Sequence, residues 1–129
     1  MLPLKFNIIN ISPKPSAFWK CSKQIHNQLQ KGKSTNSNFL DLWGTNIISH
    51  NKYRRMLQLL HGIKLPTNED EINIYVSPLL AKSINKNDSK MNITLIHDFW
   101  PLKNNIFPIK YLFKYIYKNI NHSDIILSN

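Results

Sequence analysis

Short apolar runs alternate with stripes of helical period along this chain. Phe6 to Ile11 (FNIINI) is an apolar run closed by Ser-Pro; Pro13 and Pro15 forbid helical continuation, so a strand is predicted. In the next segment, SAFWKCSKQIHNQLQKGK, Phe18, Cys21, Ile25 and Leu29 recur at helical spacing and Gly32 stands where a C-cap would. SNFLDLW reads as a second strand, with Phe39, Leu40 and Leu42 leading into Gly44. A second helix is predicted in SHNKYRRMLQLLHGIKLP, with Ser49 as N-cap, Tyr53, Met56, Leu57 and Leu60 on its apolar face, and Gly62 and Pro66 at its end. After the acidic turn TNEDE, Ile72 to Val76 (INIYV) is a third strand that stops at Ser77-Pro78. LLAKSINKNDSK holds one helical turn and a polar loop, and Ile93 to Ile96 form a fourth strand. Pro108 opens a helix striped by Ile109, Leu112, Phe113, Ile116 and Ile120, and DIILS is a fifth strand.

Strands and helices in alternation predict an α/β fold: a Rossmann-like parallel sheet of about five strands flanked by helices on both faces, in a single domain over residues 1–129. Such sheets bind ligands beyond the carboxyl ends of their strands. The carboxyl ends of the first, third and fourth strands therefore bring Ser12, Ser77 and His97 toward one cleft.

Charge narrows the partners. Lys and Arg total 17 against 7 Asp and Glu, a formal net charge of +10, which favours phosphorylated ligands, nucleic acid or an anionic membrane surface. Asn, Lys and Ile are over-used, as an AT-rich coding sequence would give, so single Lys and Asn residues carry little weight. On that ground the Asn-x-Ser/Thr triplets at Asn10, Asn87, Asn92 and Asn121 read as chance. Cys21 is the one cysteine, so no internal disulfide forms, and it is expected as a small core residue in a reducing compartment. The amino-terminal stretch lacks the pattern of a signal peptide and no apolar run is long enough to span a bilayer, so a cytoplasmic protein is expected.

Several motifs are excluded. QKGKST would need a glycine where Asn27 stands, and a strand before it rather than a helix, to act as a phosphate loop. There is no Gly-x-Gly-x-x-Gly, no Cys/His cluster for zinc, and no cofactor or metal is expected. His50, His61 and His122 lie near helix ends, where capping or surface roles are expected. Lys110, Lys114 and Lys118 recur opposite the apolar stripe of the last helix with Tyr111, Tyr115 and Tyr117 between them. That pattern suits either a solvated face or a helix lying on anionic lipid, with NKYRR adding to it. No nucleic-acid-binding module is recognisable. The sharpest feature is His97-Asp98, where an apolar strand ends abruptly in an imidazole and a carboxylate.

NITLIHDFWPLK, followed by IKYLFKYIYKNINHSDIILSN, resembles the N-terminal half of GT-B glycosyltransferases of the family-4 (group 1) type. Those proteins carry a strand ending in His-Asp and a nearby proline, a helix rich in aromatic and basic residues, and a short Ala-Asp-x-Ile strand ending in serine. The matching residues are Ile93 to Asp98, Pro101, the helix from Pro108, and Ser123 to Ser128; INIYVSP and FNIINISPKP are similar to earlier strands of the family. The resemblance implies an acceptor-side half that helps transfer a sugar from a nucleotide-sugar donor to a lipid-linked or glycan acceptor. It gives His97 and Asp98 catalytic roles: the imidazole holds a sugar hydroxyl or developing charge, and Asp98 orients ring or loop. Two departures stand out. The loop after the first strand, SPKPSAFWK, has no glycine, leaving Lys14 and Lys20 to face anions. The donor-side domain with its E-x7-E signature is absent, so a second chain or domain is expected to supply it and the isolated chain to be inactive. A non-catalytic flavodoxin-like binding module and a small basic nucleic-acid-binding α/β protein remain as alternatives.

Overall fold

The structure is a computed structural model and describes residues 4–96 and 123–128. In chain order it contains β1 (Leu4–Asn10), α1 (Ala17–Lys31), β2 (Thr35–Asp41), α2 (Lys52–His61), β3 (Glu71–Tyr75), a 3-10 helix (Pro78–Lys86), β4 (Met91–Ile96) and β5 (Ile125–Ser128). The five strands form one sheet in the order β2-β1-β3-β4-β5, and every neighbouring pair is parallel. The predicted fold class is the one observed. The expected helix from Pro108, with Lys110, Lys114 and Lys118, and the His97-Asp98 pair lie outside the described residues.

Side chains alternate across each strand, so successive residues feed two cores. On one face Ile8, Ile74 and Val76 are buried, with Phe39, Ile93 and Leu95 beside them and Ile25 and Leu29 of α1 above. On the other, Ile9 and Tyr75 pack with Leu42, Ile48, Leu59, Ile63, Leu65, Leu80 and Ile84, drawn from α2, the 3-10 helix and their loops. Helices therefore flank both faces of the sheet, as predicted.

Local details differ from expectation where tertiary packing chose among similar residues. The N-cap of α2 is Asn51, not Ser49: Asn51 Oδ1 accepts from the Tyr53 and Arg54 N–H groups, and the Ser49 hydroxyl instead accepts from the Asn51 N–H. Its inward line runs through Met56, Leu59 and Leu60, while Tyr53 is 80% and Leu57 56% exposed. The segment after Ser77 is a nine-residue 3-10 helix rather than one turn, and Leu80, Ala81 and Ile84 bury it. Gly32 ends α1 as predicted, though in extended rather than left-handed backbone. Cys21 is half-buried beside a surface groove, not in the core, and burial pushes its thiol pKa up.

Polar residues are also buried on the sheet. Asn38, Asn7, Asn73 and Asn92 occupy one register row across four strands, Asn7 and Asn73 buried, Asn92 half-buried and Asn38 exposed. Asn38 Nδ2 donates to Asn7 Oδ1 at 3.3 Å, Asn7 Nδ2 to Asn73 Oδ1 at 3.0 Å, and Asn73 Nδ2 to the Asp88 carbonyl at 3.3 Å. An unpaired buried amide costs roughly 1–3 kcal/mol; this chain of amides avoids that and penalises a register slip. Asn87 works similarly at the amino edge, donating to the Ile63 and Ser83 carbonyls and accepting from the Leu65 N–H.

Tyr75 is fully buried, and its hydroxyl faces the Asn73 and Asn87 side chains without a hydrogen bond of ordinary geometry. Burial pushes its pKa up to about 12, against a smaller opposing effect of the two amides. Because the folded-state pKa lies above the unfolded one, this group's contribution is complete below pH ~10 and lost between about 10 and 12. The loss is on the order of 2–3 kcal/mol. Tyr75→Phe is accordingly expected to stay within about 1 kcal/mol of the parent at neutral pH and to lack that part of the alkaline decline. Urea titrations of both proteins between neutral pH and pH ~11 check it; parallel pH profiles would contradict it.

Candidate functional site at the carboxyl edge

In a sheet of this order the connections leaving β1 and β3 pass to opposite faces, which opens a crevice between their carboxyl ends. The Val76 N–H donates to the Ile9 carbonyl at 3.2 Å, carrying the β1–β3 register past its last paired residues. Ser77 and the Ile11-Ser12 stretch therefore stand side by side at this crevice. Tyr75 pairs with Thr94, so two residues further Ile96, the end of β4, stands level with Ser77. The catalytic pair expected at His97-Asp98 follows Ile96 directly and lies outside the described residues.

Asn10, the last residue of β1, organises this edge. It is 1% exposed. Its Nδ2 donates to the Ser12 carbonyl at 2.9 Å and to Asp41 Oδ1, at the end of β2, at 3.1 Å. Its Oδ1 accepts from the Ser12 N–H and from the hydroxyl of buried Ser22 on α1, both at 3.3 Å. One amide thus ties the β1–α1 loop to β2 and to the helix. Asp41 Oδ1 also accepts from the Gly44 N–H at 3.0 Å and closes the next turn.

The loop after Ser12 is Pro-Lys-Pro-Ser, and Ser16 caps α1 by accepting from the Trp19 N–H at 3.1 Å. Lys14 is exposed, with its Nζ 5.1 Å from the centre of the Trp19 ring; Lys20 is exposed on the first turn of α1. Ser77 Oγ accepts from the Leu79 N–H at 3.2 Å, so the hydroxyl expected to meet substrate also caps the 3-10 helix. Its O–H donates to no group among the described residues.

Of the β2–α2 loop the sequence singled out His50, as a capping or surface residue, and the NKYRR stretch that follows, but not Trp43, on which both sides of the loop pack. The His50 ring stacks on Trp43 at 4.1 Å, its Nε2 lies 2.8 Å from the Trp43 carbonyl, and the Arg55 guanidinium lies 5.3 Å from the same indole. Asn10, Asp41 and Trp43 were missed for one reason. Their importance lies in contacts between segments, and Asn10 in a chain so rich in Asn is conspicuous only by standing at a strand end.

His26 has a structural role. His26 shares a 2.8 Å contact between its Nδ1 and Ser37 Oγ and packs on Phe39; burial, then the Lys23 charge, holds its pKa down. Gly32-Lys33 sits at the amino edge, the wrong end for a phosphate loop. Among the described residues no three His, Cys, Asp or Glu side chains gather as a metal site needs, and no helix is long and apolar enough to cross a membrane. No family model, curated protein or solved structure matches this chain.

Proposed function

We propose that this chain is the acceptor-side half of a GT-B-type glycosyltransferase, working with a donor-side half that lies outside these residues. The supporting observation is the crevice between β1 and β3, where Ser12, Ser77 and the strand that leads into His97-Asp98 come level. In this reading the crevice holds the acceptor: Ser77 and the Ser12 loop orient it, and Lys14 faces its anionic portion. His97 then offers a hydrogen bond where charge develops, with the nucleotide-sugar donor held from across the cleft. Both walls are needed because transfer depends on groups fixed on either side of the reacting bond.

The test has two parts. Calorimetry of this chain alone with common sugar nucleotides is expected to give negligible heat, and micromolar binding would put the donor site elsewhere. In the assembled pair, His97→Ala is expected to keep its thermal stability and lose about 10²-fold in turnover, the scale of one preorganised donor. An unchanged rate would reduce the His-Asp motif to a turn.

A further inference from the structure

Acidic charge is segregated along the sheet. Among the described residues Glu69, Asp70, Glu71, Asp88 and Asp124 all stand at or just before the amino ends of β3, β4 and β5. There Asp70 meets Lys5 at 3.9 Å. Among the described acids Asp41 is the one at a carboxyl end, and its Oδ1 is taken up by Asn10 and Gly44. Cations stand at both edges: Lys5, Lys31, Lys33, Lys64 and Lys90 accompany the acids, and a second group stands at the carboxyl edge. Lys14, Lys20, Lys52 and Arg54 are all exposed there, on the β1–α1 loop and the first turns of α1 and α2. Neither first turn contains an acid. Helix stability alone favours acids in a first turn and disfavours cations, so Lys20, Lys52 and Arg54 gain nothing from the helices that carry them.

Apolar side chains are exposed among them. Tyr53 stands between Lys52 and Arg54 and is 80% exposed; Ile47, in the β2–α2 loop, is 42% exposed, and Phe18 at the start of α1 is 46%. Cations interleaved with aromatic rings suit single-stranded nucleic acid as well as lipid. Ile47 separates the two: an aliphatic side chain stacks poorly on a base, whereas the boundary between headgroups and acyl chains takes aliphatic and aromatic groups alike.

We propose that the carboxyl edge over β1 and β2 docks on an anionic bilayer, with Lys14, Lys20, Lys52 and Arg54 among the headgroups and Ile47 and Tyr53 entering the interface. The crevice then opens toward the membrane, where a lipid-linked acceptor presents its polar head. The purpose of the docking rests on the glycosyltransferase reading; the docking itself does not.

Co-sedimentation of the full chain with vesicles tests this without any transfer assay. Binding is expected to vesicles of phosphatidylcholine mixed with phosphatidylglycerol, to be absent with phosphatidylcholine alone, and to weaken as salt rises. Lys20→Gln and Arg54→Gln should each lower the partition coefficient about fivefold, and Tyr53→Ser should lower it further. Lys31→Gln and Lys33→Gln, at the other edge, should leave it unchanged; circular dichroism checks that each variant folds. Equal binding to neutral vesicles, no binding, equal losses from the Lys31 and Lys33 variants, or losses confined to Lys110, Lys114 and Lys118 variants would overturn the proposal. So would tight binding of a single-stranded oligonucleotide without vesicle binding. Vesicle binding with no sugar transfer by the assembled pair sinks the glycosyltransferase reading and leaves the docking edge; transfer to a soluble acceptor without vesicle binding does the reverse.

Discussion

Gly62→Ala is expected to destabilise the fold by about 3 kcal/mol, from backbone strain and a steric clash together. Gly62 closes α2 with its N–H on the Gln58 carbonyl at 2.8 Å, and its backbone lies at φ 86°, ψ 152°. That region is open essentially to glycine alone. A methyl group there would also sit 2.5 Å from the Lys82 carbonyl oxygen and 2.9 Å from its carbon. Those atoms belong to the backbone of the 3-10 helix, so no side chain can swing aside. Relief requires moving that helix off α2, and with it Leu80 and Ile84 from the core around Tyr75. Urea unfolding of the variant measures the loss directly; a drop below about 1 kcal/mol, the range of ordinary substitutions, would mean that the approach is looser than described.

Asn10→Ala is expected to cost roughly 2–3 kcal/mol and to loosen the β1–α1 loop. The change strands the Ser12 N–H and carbonyl, and removes one partner each from Asp41 Oδ1 and the Ser22 hydroxyl. Two of those groups belong to Ser12, so the damage falls on the edge where the ligand is placed. Asn10→Asp makes the sharper comparison. It preserves size and one acceptor but replaces the donor facing Asp41 with a second carboxylate, so like charges meet where a 3.1 Å hydrogen bond was. The aspartate variant should therefore be no more stable than the alanine one at neutral pH, and should recover as the pH falls and the pair takes up a proton. If it matched the parent at neutral pH, the Asn10–Asp41 bond would not be what holds the loop.

These sites show which parts of the fold could be read in advance. Strand and helix periods depend on neighbours a few residues away, and FNIINI, INIYV and NITLI were recognisable as strands before any contact was known. The parallel arrangement followed, because alternating strands and helices leave little other topology. The face of α2 was misjudged because Tyr53, Met56, Leu57 and Leu60 all satisfy a loose helical spacing. The choice of Leu59 over Leu57 depends on where β1 and the 3-10 helix lie, and no local period encodes that. Ser49 and Asn51 were equally good caps by residue type, and the Gln58 side chain, which accepts from the Ser49 N–H at 2.7 Å, helps set the loop that leaves Asn51 in place.

For the candidate site, position and chemistry separate in the same way. The chain by itself determined that Ser12, Ser77 and the end of Ile93 to Ile96 would share one sheet edge, because successive parallel strands point the same way. It also determined a strongly cationic protein. Only the tertiary structure decided that Asn10 would bind Ser12, Asp41 and Ser22 at once, and that the asparagines of four strands would share a row. It likewise decided that, among the described residues, most acids would collect at one edge, while Tyr53 and Ile47 would stand with a group of cations at the other. Most of these join residues from different strands and helices. Local sequence supplies the hydrogen-bonding group or the charge, but which groups meet is settled by strand register and helix placement, through the cost of leaving a buried polar group unpaired.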